Sequence, residues 1–198
     1  LLSSLQGAAV TSVRIKGVQH EFSSIPGVAE DVTDIILNLK SVRLRLHGSD
    51  QATIRIIHKG DGTLKAGDIM VPHNVEIMNP EQHIATCGKD GSLEMEMTVK
   101  IGKGYVSAER NRDEKAPVGT IPIDAIFSPI IKVNFVGSNA RVGQMTDYDK
   151  LNLEIWTDGS VSPEDSIAYA AKIIKEQMSI FINFDEESEP QEQDETAE

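Results

Sequence analysis

The residues of this chain with chemical potential are its glycine pairs, its neighbouring acids and its five histidines, and each type has a spacing that its chemistry would require. KGDGT, GKDGS and GKGY set glycine beside lysine, as in loops whose successive backbone N–H groups cradle phosphate. None fits G-x-x-x-x-G-K-[ST], or G-x-G-x-x-G between a strand and a helix, so all three read as hairpin turns. Asp147 and Asp149 sit two apart in TDYDK, too few oxygens for a calcium loop and with no glutamate to complete one. They read as turn and strand-entry residues with Lys150 as a partner. His20, His47, His58, His73 and His83 are scattered without H-x-x-x-H spacing, and His20-Glu21 lacks the second histidine of a zincin. Serine, histidine and aspartate are present, yet no G-x-S-x-G elbow supports a nucleophilic triad. Glu94 and Glu96 would be paired carboxylates for acid–base work, but they lie on the polar face of an alternating strand, where a solvated surface accounts for them. Cys87 is the single cysteine, which excludes an intramolecular disulfide and a cysteine metal cluster. No catalytic residue, metal or cofactor is expected. A small acidic enzyme using Glu94, Glu96, Asp147 and Asp149 stands as an alternative, distinguished by a concave pocket that gathers them. An independent monomeric binding module is a third reading.

These residues belong to a chain of 198 residues, 39% apolar and 25% charged, which is ordinary for a soluble globular protein. No apolar run approaches the ~20 residues that span a bilayer, and LLSSLQG is no basic leader, so a cytoplasmic protein without membrane contact is the default. The net charge of −12 is concentrated at one end, because the last fourteen residues, DEESEPQEQDETAE, carry eight acids and no base. The remaining 23 of 31 acids face 19 bases, a body near −4 without the basic excess of a duplex-binding surface. That acidic stretch reads as a disordered linker. At the other end Leu1, Leu2 and Leu5 before Gly7 read as the last turn of a helix closing on a glycine C-cap. Both termini look cut.

Between them, AVTSVRI, Lys16-Gly17 and VQHEF predict a hairpin. In GVAEDVTDIILNLK, Val28, Val32, Ile35, Ile36 and Leu39 recur at helical spacing, with Glu30, Asp31, Thr33, Asp34 and Asn38 opposite. VRLRLH, a GSDQ turn and ATIRIIH predict a second hairpin. LEMEMTVKI alternates without a break, sending Leu93, Met95, Met97, Val99 and Ile101 to one face. SAERNRDEKAPVG has no apolar period and reads as a long exposed loop. PIDAIFSP, IIKVNFVG and NLEIWTDG are strand-like, no internal repeat appears, and the whole is α+β.

The sharpest pattern covers residues 146–181. Ser162, Pro163, Glu164 and Asp165 form a capped helix start with acids at the positive end of the dipole. Ile167, Ala171, Ile174, Met178 and Phe181 then step by four, three, four and three, which keeps a narrow apolar seam on one side. That seam suits either the protein's own sheet or another protein surface. Pairing of this helix with the leucine stub at the chain start would leave the β-rich centre as an insertion.

HEFSSIPGVAEDVTDIILNLK and TDYDKLNLEIWTDGSVSPEDSIAYAAKII, with IGKGYVSAERN and SNARVGQMTDYDKL, closely resemble the amino-terminal domain of the bacterial RNA polymerase α subunit across residues 1–184. The opening LLSSLQGAAVTSV is similar to the end of that family's first helix, and the acidic tail to the start of its linker toward a separate carboxy-terminal domain. The resemblance implies a two-layer dimerisation subdomain built from residues 1–6 and 133–184, a β-rich insert over 7–132, and linker at 185–198. It further implies a homodimer that recruits the β and β′ subunits for transcription, with catalysis left to those subunits and no direct nucleic-acid site in this span. Carried over by motif, Ile167, Ala171, Ile174, Met178 and Phe181 would form the dimer core with Leu1, Leu2 and Leu5. Glu30, Asp31, Asp34, Asn38 and Lys40 would face β, and Asn139, Arg141, Val142, Asp149 and Lys150 would contact β or β′.

Overall fold

The unbroken alternation of LEMEMTVKI becomes the strand on which the main sheet is assembled. The computed structural model describes residues 1–142 and 145–181, with side chains described outside 140–148. Its strands in chain order are β1 (Gln6–Ile15), β2 (Leu44–Leu46), β3 (Gln51–Lys59), β4 (Gly62–Lys65), β5 (Val75–Ile77), β6 (His83–Cys87), β7 (Ser92–Lys103), β8 (Tyr105–Val106), β9 (Thr120–Pro122), β10 (Ala125–Ile126), β11 (Ile130–Val142) and β12 (Met145–Thr157). Among the described residues three α-helices accompany them: α1 (Val32–Lys40), α2 (Ala108–Asn111) and α3 (Pro163–Met178). The main sheet runs β3-β7-β1-β2-β5, and β9 also pairs with β1. The other sheets are two-stranded: β4 with β6, β8 with β10, and β11 with β12.

Leu93, Met95, Met97 and Val99 of β7 point into the core, beside Val13 and Ile15 of β1 and Ile54 and Ile56 of β3. Val32, Ile35 and Leu39 of α1 join the same core with Ile84 and Cys87 of β6. Each such fully buried aliphatic side chain contributes about 1.5–3 kcal/mol. Thr11 is the extra residue of a bulge in β1, where the register steps from Val10↔Val99 to Ser12↔Thr98. Its hydroxyl is buried and donates to the Thr98 carbonyl at 3.2 Å, so the interrupted ladder leaves no orphan there.

Several local expectations give way to long-range pairing. VQHEF does not return along β1 as a hairpin; β1 is already paired by β7 on one edge and by β2 and β9 on the other. The turn at Gly17, with φ +82°, instead releases the chain into a loop. Likewise β2 and β3 are not hairpin partners, since β7 and β1 lie between them. The glycine segments 59–63, 88–92 and 102–105 are turns, but each joins strands of different sheets and none closes a hairpin. The helix expected over 28–40 starts at Val32, because Asp31, itself in extended backbone, accepts the Asp34 N–H at 3.0 Å as its N-cap, while 26–30 form a turn, a single bridge residue and bends. The charged loop contains the single turn of α2.

The chain start is not a helix end. Residues 2–4 form a turn and Gly7 lies inside β1, opposite Gly102 of β7. Both glycines serve close approach: a Cβ on Gly7 would overlap the Phe127 carbonyl oxygen, and one on Gly102 would lie 2.7 Å from the Phe127 ring. The bare patch is what lets Phe127 bury itself against the sheet, 4% exposed. Gly102→Ala is therefore expected to destabilise the protein by about 1–3 kcal/mol through forced displacement of that ring. Urea unfolding measures this, and a midpoint equal to wild type would show that Phe127 does not rest on the glycine.

Candidate functional site

Beyond Pro129 the chain leaves this core and makes two elements with apolar faces. In the β11–β12 hairpin the pairs Val133↔Ile155, Phe135↔Leu153 and Gly137↔Leu151 share one face, as period-two alternation requires. Phe135 and Leu151 are 70% and 63% exposed. The opposite face satisfies itself: Lys132 Nζ sits 4.7 Å over the Trp156 ring, and Asn134 donates to Glu154 at 2.9 Å.

The start of α3 is as its sequence requires, with Ser162 Oγ accepting the Asp165 N–H at 3.1 Å and Pro163 in the first turn. Ser166 is the buried residue of this helix and Ile173 is half-buried. The seam faces outward: Ile167, Ala171, Ile174, Met178 and Phe181 are all exposed, Ile174 by 63% and Phe181 by 75%. Leu1 and Leu5 are at least half-buried, whereas Leu2 is exposed. Leu5 lines a cavity of about 490 Å³ shared with Tyr169 and Ile173, so the chain start borders the inner stripe of α3 and not its seam.

The predicted contact residues around α1 divide by what already holds them. Glu30 precedes the helix, and its carboxylate accepts from Thr86 N–H at 2.6 Å, from Thr86 Oγ1 at 3.2 Å and from His83 Nε2 at 2.8 Å. Burial alone would raise its pKa, but these hydrogen bonds outweigh burial and hold it below the ordinary carboxylate value. Asp31 caps α1, Asn38 donates to the Ile84 carbonyl at 2.9 Å, and Lys40 pairs with Asp124 at 2.6 Å. Asp34 is exposed on the outer surface. Farther along the chain, Asn139↔Asp149 and Ser138↔Lys150 are cross-strand pairs toward the hairpin tip, with Asn139, Asp149 and Lys150 exposed. Arg141 and Val142 belong to β11 by backbone; their side chains, that of Asp147 and the tail 185–198 lie outside the described residues.

Of the acids proposed for enzymatic work, Glu94 and Glu96 line one cavity of about 500 Å³, but Arg14, Lys16 and Arg55 line it with them and Asp149 does not. Glu94 pairs with Lys16 at 2.7 Å, and the hydrogen bond and charge of that lysine hold its pKa low. Glu96 lies between Arg14 at 3.2 Å and Arg55 at 2.7 Å, whereas Asp149 belongs to the separate hairpin. A cavity of about 750 Å³ under the charged loop is lined by Arg14, Lys100, Lys115, Glu96, Asp113 and Glu114, a mixture of signs. Cys87 is buried, which pushes its thiol pKa up, and the nearby Glu30 charge adds to the effect. Among the described residues no group of three or more His, Cys, Asp or Glu could hold a metal ion, and no helix is long and apolar enough to cross a membrane.

Phe135, Leu151 and Leu153 are absent from the candidate residues read out of the sequence, although VNFVG and LNLEIW alternate. What the alternation lacks is any sign that the two strands pair with each other alone and leave one face bare.

Comparison with known proteins places these surfaces in a family context. The family model for the RNA polymerase Rpb3/RpoA insert domain matches residues 13–128. The chain is 78% identical to the DNA-directed RNA polymerase subunit alpha of Pelobacter propionicus, over 96% of this chain and 56% of that protein. It is 75% identical to the same subunit of Geobacter metallireducens, over 100% of this chain and 58% of that one. For Moorella thermoacetica the identity is 59%, over 94% and 59%. The chain thus spans less than two thirds of the length of these curated relatives.

The Glu30 cluster carries a pH signature. Its folded pKa lies below its ordinary 4.5, so its stabilisation is present above about pH 4.5 and is lost as pH falls through the lower folded value. Glu30→Gln is expected to lower the unfolding midpoint at neutral pH and to flatten the loss of stability on the acid limb. A variant whose acid limb overlays that of wild type would show that Glu30 is not the linked group.

Proposed function

Because this chain belongs to the RNA polymerase α-subunit family, with the Rpb3/RpoA insert domain over residues 13–128, we propose that it is the assembly subunit of a bacterial DNA-directed RNA polymerase. It forms a homodimer and through it gathers the β and β′ subunits in the cytoplasm. The observation that carries this reading is the exposure of two apolar surfaces, the α3 seam and the hairpin face, on a protein whose own core is complete without them. Such a patch in the centre of an interface loses water on association, which is the main source of its affinity.

The division of labour follows the packing. The buried cluster runs from Val10 to Ile123 and includes neither the hairpin nor α3. The insert is assigned to residues 7–132, and the dimerisation part to residues 1–6 with 133–184; the burial of Val10 to Ile123 in a cluster without the hairpin or α3 supports that division. Ile167, Ala171, Ile174, Met178 and Phe181 form the seam of the dimer. Leu1, Leu2 and Leu5 support it from the chain start. Around α1 the direct contact to β is assigned to Asp34, while Glu30, Asp31, Asn38 and Lys40 hold the helix in place for it. Asn139, Asp149 and Lys150, with Arg141 and Val142, offer a second contact toward β or β′. The subunit supplies no catalytic residue or cofactor; nucleotidyl transfer belongs to the large subunits.

Two substitutions in the intact subunit separate these roles. Ile174→Asp would place an unpaired charge in the seam and weaken self-association by about 3 kcal/mol, roughly a hundredfold. Sedimentation at micromolar concentration should then find a monomer; a mutant that sediments as the wild-type dimer would remove the seam from the interface. Asp34→Lys should leave the dimer intact and reduce capture of β in a pull-down roughly tenfold. Undiminished capture would exclude that face of α1 as the contact.

A further inference from the structure

The loop between the hairpin and α3 is held by one arginine of the insert sheet. Arg45 occupies the middle of the three-residue strand β2. Its Nε donates to the Ser160 carbonyl at 2.8 Å and its Nη2 to the Gly159 carbonyl at 3.0 Å. On the neighbouring strand β5, Glu76 stands opposite Arg45 in register and places a carboxylate oxygen 3.5 Å from Nη1. The guanidinium is thus aimed from behind while it grips two consecutive carbonyls in front. A planar fork with two directed donors specifies orientation as well as distance, which a lysine ammonium cannot.

The gripped loop is itself stiff. Asp158 accepts from Ser160 N–H at 2.8 Å and from Ser160 Oγ at 2.5 Å, and Asp158 N–H donates to the Pro129 carbonyl at 2.9 Å. Gly159 takes φ +92°, a conformation that favours glycine. Two residues beyond Ser160, Ser162 caps α3. Most of that helix is exposed, so its attachment is concentrated at this N-terminal end. The flanking Leu44 and Leu46 point the other way, into the core, and do not depend on the arginine head group.

We propose that Arg45 is a positioning residue: it sets the direction in which α3 leaves the insert sheet and thereby presents the seam to the second copy of the chain. The second half of this statement rests on the dimer reading above, the first on geometry alone. Communication would run both ways, since a change at the β2–β5 edge of the insert would tilt the dimerisation helix.

The test compares wild type, Arg45→Ala and Arg45→Lys in the intact subunit by hydrogen exchange and sedimentation. Both variants should speed amide exchange in residues 158–168 about tenfold, the loss expected for hydrogen bonds to a charged group, with β1 and β7 amides unchanged. Self-association should weaken about tenfold in both. Unchanged exchange at 158–168, wild-type behaviour of Arg45→Lys, or loss of protection spread across β1 and β7 would each overturn the assignment. A wild-type protein that is monomeric, with faster exchange in the variants confined to 158–168, would uphold the pin and overturn the dimer reading instead.

Discussion

The antiparallel ladder between β1 and β7 is the interaction on which the remaining structure depends. It pairs Gln6 with Lys103 at one end and Ile15 with Met95 at the other, so strands far apart in the chain form the middle of the sheet. On one side β7 offers its second edge to β3, and on the other β1 accepts β2 and β9. The Gly7↔Gly102 pair within that ladder removes two side chains at one spot and lets Phe127 down onto the backbone. Burial of Phe127 and Ile130, each 4% exposed, ties the exit of the insert beside the start of the chain. The hairpin therefore begins beside the place where the chain begins.

Apolar side chains in this protein meet two fates. Those of the cluster that includes Val13, Ile35, Ile54, Ile84 and Met97 are buried against one another, and their removal from water is the main force that holds it together. Those of the hairpin face and the α3 seam are of the same apolar kinds but stay largely exposed among the described residues. The difference is geometric: a two-stranded hairpin has only one neighbour per strand, and a helix anchored at one end can turn only one stripe inward.

Polar residues act mainly as internal fasteners. Glu96 is shared by Arg14 and Arg55 across three adjacent strands, and Glu30 is enclosed by His83 and Thr86. Asn38 and Lys40 bind backbone and side chain of other elements. Such commitments make these residues poor free ligands and good supports. Arg45 extends the same habit to the loop before α3, where a side chain of β2 holds two main-chain carbonyls.

Features governed by a few neighbouring residues were legible from the sequence. Leu93 through Val99 declare the buried face of β7 by alternation, and Ser162-Pro163 declares the start of α3, because pleat and capping are local. The seam of α3 was legible for the same reason, and the family resemblance followed from long contiguous motifs. Partner choice was not. Lys16-Gly17 and the GSDQ turn offered cheap hairpins by short loop closure, yet β7 outcompeted both with longer apolar ladders at far greater separation. Gly7 looked like a helix cap because a glycine needed for a left-handed turn and one needed for close approach are the same letter. Glu30 looked like an outward acid until Asp31 took the cap and His83 and Thr86 arrived from a strand more than fifty residues away. The sequence by itself determined which faces are apolar and where α3 begins, since these depend on spacing along the chain. Tertiary structure alone decided which faces are covered, which acids are occupied and where α3 is pinned, since these depend on which distant groups compete successfully for the same edge, carbonyl or carboxylate.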